Sequence, residues 1–448
     1  MRHKRANPAQ VMALSFAVTI LAGSLLLSQP WAAIPGKKLS FVEALFTATS
    51  ATCVTGLTVR PPEHFTVAGQ LVILLLIQVG GLGVMTFGLF FTLLLGGRLS
   101  LFGRQLVMSS FSSEPWEDFW PLLRTVVGAT LVVETVGALL LTVGFWQEKG
   151  VMALPWGFFH AISAFCNAGF GLHPDSLIPF RGNAVVNLTV GLLIITGGVG
   201  FLPLAEVFER WRSRQRRPIS LHSRLVLLTT AALLVIGWLG FALLEWRNIL
   251  APLPAEEKVW AVWLGGITPR TAGFANVDYG ALTPGTLLFT MALMFVGASP
   301  GSTGGGIKTT TLAVLVALVL ARVRSHRKVT ALGRRFSADT LGAAVTLLVL
   351  ASSSILLAAL AISVVEHGHG GGMAAHARFL REAFDVVSAF GTVGLSTGIT
   401  PSLQPASWIV LVVMMYVGRI GPLTLSVALL GRAPQPEPEL AEESVMVG

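Results

Sequence analysis

Four segments of the chain share one order of residue types, and that order suits the handling of a small cation. They read FVEALFTATSATCVTGLTV (41–59), WGFFHAISAFCNAGFGL (156–172), VWAVWLGGITPRTAGFAN (259–276) and FLREAFDVVSAFGTVGLSTG (379–398). In each, a helix-compatible stretch gives way to small residues and then to a glycine followed by an apolar residue: Gly56-Leu57, Gly169-Phe170, Gly273-Phe274 and Gly394-Leu395. The glycines stand 113, 104 and 121 residues apart. Serine lies six before three of them, as Ser50, Ser163 and Ser388, with Ile267 in the third copy. Backbone carbonyls turned inward from four such loops can replace an ion's hydration shell. Glycine supplies the φ-positive conformations that a ring of carbonyls requires. The half-helices before them aim partly negative C-terminal ends at the centre, which favours a cation. No carboxylate lies in the loop cores.

The expected ion-binding set is therefore Cys53, Val54, Thr55 and Gly56; Cys166, Asn167, Ala168 and Gly169; Arg270, Thr271, Ala272 and Gly273; and Gly391, Thr392, Val393 and Gly394. Thr392-Val393-Gly394 matches the first three letters of the potassium-channel TVGYG loop. The plainer alternative is four packed re-entrant helices with no ion between them. Cys53 and Cys166, the only cysteines, read as small buried residues, because two thiols do not complete a metal site.

A second constellation breaks the stretch 284–320. GASPGSTGGGIK (297–308) holds a proline and five glycines, which do not continue a helix comfortably. It places Lys308 inside an apolar segment, where an ionisable group is functional by default. Gly297-Ala298-Ser299-Pro300-Gly301 matches the G-x-S-x-G nucleophile elbow, but Pro300 has no N–H for an oxyanion hole. The run toward Lys308 resembles a P-loop only loosely, since Ile307 separates Gly306 from the lysine. A hydratable gating loop under the filter fits better, formed by Ser299, Gly301, Ser302, Thr303, Gly304, Gly305, Gly306 and Lys308; a static kink is the plain alternative. Arg419, in YVGRIGP (416–422), is the second charge within a span. It is expected to face the pore, with snorkelling to the membrane surface as its alternative.

The elements that must hold these groups follow from composition. Of 448 residues, 53% are hydrophobic and 12% charged, mean hydropathy is +0.73, and net charge is +9. That is too few charges to clothe soluble domains. It excludes a soluble enzyme, a disordered chain and a nucleic-acid binder. Apolar stretches long enough to span a bilayer lie near 11–29, 67–95, 122–146, 184–208, 225–246, 284–320, 340–365 and 406–431. The first, after Arg2, Lys4 and Arg5, is a span rather than a secretory signal. The predicted fold is thus an all-α polytopic membrane protein, with eight spans in four repeats of span, half-helix, glycine loop and span around one pore. The repeats run 1–118, 119–218, 219–332 (with the broken helix) and 333–433, followed by a tail over 434–448. All four have one orientation, unlike inverted-repeat transporters.

Eighteen lysines and arginines fall on the side of the N-terminus, including Arg98, Arg104, the run Arg210, Arg212, Arg214, Arg216, Arg217 and Arg224, the run Arg322, Arg324, Arg327, Lys328, Arg334 and Arg335, and Arg432; ten fall on the other. Both termini are therefore expected in the cytoplasm. The arginine-rich loops read chiefly as this topology signal, and secondarily as a dock for an acidic partner or anionic lipid. Asn187-Leu188-Thr189 is a sequon inside a span and is expected inert. His367, His369 and His376 read as a solvated loop rather than a metal site. The tail, with four glutamates and Pro434, Pro436 and Pro438, reads as disordered. The alternative is a coupled potassium–proton or potassium–sodium symporter; the proton-coupled form would need an intramembrane acid relay, for which Glu134 and Glu206 are the candidates.

Taken together, the four glycine loops, SPGSTGGGIK (299–308) and GRIGP (418–422) resemble the Trk/Ktr/HKT superfamily of potassium transporters across essentially the whole chain. Eight spans look most similar to its KtrB-type subunits. The resemblance implies potassium uptake at the cytoplasmic membrane through a four-repeat pore, with Gly56, Gly169, Gly273 and Gly394 as filter glycines, 299–308 as gating loop and Arg419 as pore arginine. It also implies a homodimer, a cytoplasmic regulatory ring of nucleotide-binding subunits, and sodium dependence of the Ktr kind; no cofactor is implied in this chain. Because only the fourth loop keeps T-V-G, while Thr55, Asn167 and Thr271 depart from it, selectivity looser than a channel's is expected.

Overall fold

A computed structural model describes residues 8–94, 119–212, 219–326, 328–368 and 375–430. The expectations placed on Arg2, Lys4, Arg5, Arg98, Arg104, Arg214, Arg216, Arg217, Arg327, His369, Arg432 and the tail lie outside these residues. The described chain is predominantly helical. α1 (Pro8–Leu27) leads to the short α2 (Phe41–Thr52) and the long α3 (Val67–Leu94). α4 (Phe119–Lys149), α5 (Ala153–Phe165) and α6 (Ala184–Val199) follow in the same long–short–long order, then α7 (Phe201–Arg212). Next come α8 (Leu221–Glu245), α9 (Ala255–Ile267), α10 (Pro284–Phe295) and α11 (Thr309–Val323). A two-residue hairpin, β1 (Thr330–Ala331) against β2 (Arg334–Arg335), precedes α12 (Ala338–Val365), α13 (Ala375–Gly391), α14 (Pro405–Ile420) and α15 (Pro422–Leu430).

The helix starts are written in the sequence. Ser40 and Glu43 form a reciprocal capping box at α2: the Ser40 hydroxyl accepts from Glu43 N, and Glu43 Oε2 accepts from Ser40 N at 2.7 Å. Burial pushes the Glu43 carboxyl up, but the Ser40 bonds and the Arg60 guanidinium, 2.5 Å away, hold it below the usual range. Asn183, Ser220, Thr283 and Ser337 cap α6, α8, α10 and α12, and proline occupies the first turn of α10 and α14.

Among the described residues, four stretches are long and apolar enough to cross a bilayer on their own: Ala9–Leu27, Arg124–Phe165, Leu221–Glu245 and Ala338–Val365. Leu139 and Val143 on α4, and Leu239 and Leu243 on α8, stand exposed one turn apart. So long an apolar outer surface suits lipid, not water. The interior gathers around the ends of the short helices, with Phe46, Phe145, Phe180, Phe274, Phe384 and Phe390 fully buried.

Three expected spans are not single helices. The stretch 284–320 breaks between Phe295 and Thr309, as its glycines predict. The stretch 184–208 also breaks, which its hydropathy does not reveal: at Gly200 (φ 91°) α7 turns off α6 by 101°. The stretch 406–431 breaks at Gly421, also φ 91°, followed by Pro422. In the last two cases a left-handed glycine ends a helix whose apolar pattern continues past it, whereas the first helix ends at Val296 (φ −93°).

Two buried carboxylates close helical hairpins in the same way. Glu245, at the end of α8, accepts from Thr283 N at 3.0 Å and from the Thr286 hydroxyl, 38 and 41 residues on. Glu366, at the end of α12, accepts from Gln404 N and the Ser407 hydroxyl, both at 2.7 Å and again 38 and 41 residues on. Glu366 also pairs with Arg378, which reaches Glu382 as well.

Candidate functional site

α2, α5, α9 and α13 end at Thr52, Phe165, Ile267 and Gly391. After each end the backbone repeats one unusual pattern. Val54, Asn167, Thr271 and Thr392 have φ of 49°, 58°, 66° and 50°, and the glycine two residues on has φ of 95°, 70°, 75° and 91°. Three of the four side chains held left-handed are β-branched, at a cost of about 1–3 kcal/mol each. Such strain persists only where the surroundings dictate it.

The surroundings are the other loops. A Cβ added at Gly56 would stand 2.5 Å from the carbonyl oxygen of Ala168, and one at Gly169 would stand 2.8 Å from that of Ala272. At Gly273 it would meet Val393 O, and at Gly394 it would meet Thr55 O. The fourth loop thus returns to the first, closing a circuit. Every glycine lies against the carbonyl that precedes the next loop's glycine. All four line a cavity of about 370 Å³, whose walls include Arg60, His173, Asp175, Asp278 and Ser396.

Behind the circuit, side chains hold the loops in place. The Ser50 hydroxyl accepts from Gly56 N, and the Ser388 hydroxyl from Gly394 N, both at 3.0 Å. In the third loop, where Ile267 replaces the serine, Thr268 instead donates to Phe274 O at 2.7 Å. Asn167 and Thr271 join the second and third loops, with 3.1 Å between amide and hydroxyl. The Arg270 side chain is buried but turned away, donating to Thr230 O on α8 at 3.3 Å. Only its backbone belongs to the circuit. Cys53 and Cys166 are buried free thiols; Cys166 Sγ lies 3.7 Å from Glu134, which Gln78 contacts at 3.2 Å. Glu206 accepts from Ser220 N at the α7–α8 corner, a tie between two helices. Asn187 is buried and donates to three carbonyls, including Phe180 O at 2.9 Å.

Asp385 is a functional candidate that sequence patterning does not single out. It is fully buried on α13, and its Oδ2 accepts from Ser396 at 3.1 Å and from Thr400. It therefore grips the chain just after Gly394. Its signal in the sequence is weak: an acid three residues before the repeat's serine position, in one copy of four.

The segment 297–308 lies directly beneath the circuit. Val296 and Ile307 pair in a bridge that closes it. A Cβ at Gly304 or Gly305 would strike the Thr271 or Thr392 hydroxyl. Gly305 N donates to Thr392 Oγ1 at 3.1 Å, and Thr303 Oγ1 to Phe165 O at 3.1 Å. Ser299 N and Thr303 N donate to Gly198 O and Gly197 O at 3.1 and 3.3 Å, and Gly306 N donates to Gly418 O at 3.2 Å. Lys308 Nζ donates back to Gly304 O at 2.8 Å. Arg419 does not snorkel: it is 3% exposed, and its guanidinium donates to Thr303 O and to Gly80 O. The loop is thus bonded to α6 and α14 directly, and to α3 through Arg419. Ser302 and Ser299 are tied within the loop, hydroxyl to carbonyl at 2.6 Å.

Chemically, this is a ring of backbone carbonyls with an open cavity on one side and a small-residue loop and two cationic side chains on the other. A family model described as a cation transport protein, TrkH, matches residues 3–440. Ktr system potassium uptake protein B of Bacillus subtilis is 39% identical over 424 residues, 94% of this chain and 92% of that one. The potassium/sodium uptake protein NtpJ of Enterococcus hirae is 36% identical, covering 99% and 98%. The fold is similar to the crystal structure of the potassium transporter TrkH from Vibrio parahaemolyticus, with a TM-score of 0.70 at 18% identity over 96% of this chain and 86% of that one.

Proposed function

The chain belongs to the TrkH family of cation transport proteins, and from that premise we propose that it takes up potassium through the circuit of four glycine loops. It is a multi-pass membrane protein and a transporter rather than an enzyme. The observation that carries the pore is the closed order of the four glycines, each against the carbonyl of the next loop. A dehydrated cation fits a ring of carbonyls, and the half-helix ends add negative potential there. On this proposal the spans number eight, counting each broken helix once, and the repeats cover 1–118, 119–218, 219–332 and 333–433. The filter residues are Cys53–Gly56, Cys166–Gly169, Arg270–Gly273 and Gly391–Gly394.

Residues 299–308 act as the gate. Their bonds to Phe165, Thr392, Gly197, Gly198 and Gly418 hold them across the path in this conformation. Arg419 fastens the gate at Thr303. We further propose cytoplasmic termini, a homodimer and a regulatory nucleotide-binding ring on the cytoplasmic face. Coupled symport is the second reading, favoured by one observation: Glu134 is buried beside Cys166 at the foot of the second loop.

Expression in a bacterium lacking potassium uptake, together with a regulatory subunit, should restore growth on low potassium. Absence of growth with every such partner, despite membrane insertion, overturns the proposal. Uptake that demands a proton gradient rather than the membrane potential alone selects the coupled mechanism.

A further inference from the structure

The helix α7 has no part in the circuit, yet its residues are sharply sorted. It leaves α6 at 101°, so with α6 crossing the bilayer it runs close to the bilayer plane. Leu204, Val207, Phe208 and Trp211 follow the i, i+3, i+4, i+7 spacing and share one face. Val207, Phe208 and Trp211 are 41%, 55% and 82% exposed, and the last two rings lie 6.2 Å apart. On the opposite side Glu206 accepts from Ser220 N at 2.9 Å, and Pro203, at one border of the apolar face, is buried. Arg210 flanks the apolar face and Glu209 lies on the far side; both are exposed, as is Arg224 at the start of α8.

We propose that α7 is an interfacial anchor: its apolar face enters the acyl boundary of one leaflet, and Arg210 and Arg224 bind anionic phospholipid headgroups. A helix with an open apolar stripe, an exposed tryptophan and flanking arginines, lying along the bilayer, matches that environment in each respect. A protein partner would be expected to cover the stripe without needing the helix to lie in the plane. The anchor also reaches the gate. Phe201 N donates to Gly301 O at 3.4 Å, and a Cβ at Gly200 would stand 3.1 Å from Pro300 O. The bilayer's hold on α7 is therefore one peptide away from the loop beneath the filter.

The test uses the full chain. Both native cysteines are buried, so Trp211→Cys provides an accessible thiol for a bimane label. Val143→Cys, at a lipid-facing position that is 68% exposed on α4, serves as reference. In vesicles of phosphatidylcholine with phosphatidylglycerol, the label at 211 should be quenched by lipids spin-labelled near the headgroup and spared by aqueous iodide. Replacing phosphatidylglycerol with phosphatidylcholine should weaken that quenching, and Arg210→Gln should reduce the dependence about fivefold. Quenching by iodide alone, protection from both quenchers, or equal depth in the two lipids each overturns the proposal. Because the readout needs no ion flux, it can fail while the transport proposal stands, and the reverse.

Discussion

At the scale of single residues, the four glycines are equivalent in sequence but not in space. A Cβ at Gly394 would collide with Thr55 O more severely than one at Gly169 with Ala272 O, where 2.8 Å remains. Gly394→Ala should therefore abolish rubidium uptake, whereas Gly169→Ala should leave a measurable fraction with lowered preference over sodium. Equal losses would separate the glycines' role from the ring's spacing. Asp385 makes a second prediction. Asp385→Asn keeps the shape but weakens acceptance from Ser396 and Thr400, so the potassium-to-sodium uptake ratio should fall with the amount of inserted protein unchanged. A constant ratio would make Asp385 a packing residue only. The glycines are legible in the sequence because a φ-positive loop leaves a residue-type signature. Asp385 is not, because its partners follow it by 11 and 15 residues and only the folded turn brings them together.

At the scale of elements, the loop 297–308 is held by its neighbours more than by itself. Arg419 contributes two charged-donor bonds, each worth about 1.5–3 kcal/mol. Arg419→Ala should raise flux in proteoliposomes, and so should deletion of Thr303–Gly306. Combined, they should give no more than the deletion alone, since Arg419 acts on Thr303; additive effects would show that it acts elsewhere. The hairpin clamps differ in a testable way. Glu366 shares Arg378 with Glu382, whereas among the described residues Glu245 has hydroxyl, amide and backbone N–H donors around it. Glu366→Ala leaves Arg378 to Glu382 alone and takes the acceptor from Gln404 N and the Ser407 hydroxyl, and should lower thermal stability in detergent more than Glu245→Ala. The reverse order would assign the work to the helix caps. The clustering of six helix breakers locates the broken helix at 297–308, but hydropathy runs straight through Gly200, where a single left-handed residue makes the turn.

At the scale of the whole molecule, the spacing of the glycines is what the proposed four-repeat pore rests on in the sequence. It does not reveal the order in which the loops touch, which rests on backbone contacts that no side chain encodes. The proposed orientation has a direct check. Reporters fused after Arg212 and after Ser325 should both read the cytoplasm, and a reading outside would invert the topology. The two hairpin clamps bear on how such a chain is made. Glu245 and Glu366 each find a helix start with unpaired N–H donors only 38 residues downstream, inside the same hairpin. Each of these two hairpins can thus leave the insertion machinery with its buried acid already satisfied, in the order of synthesis, before the ring above has all four of its members.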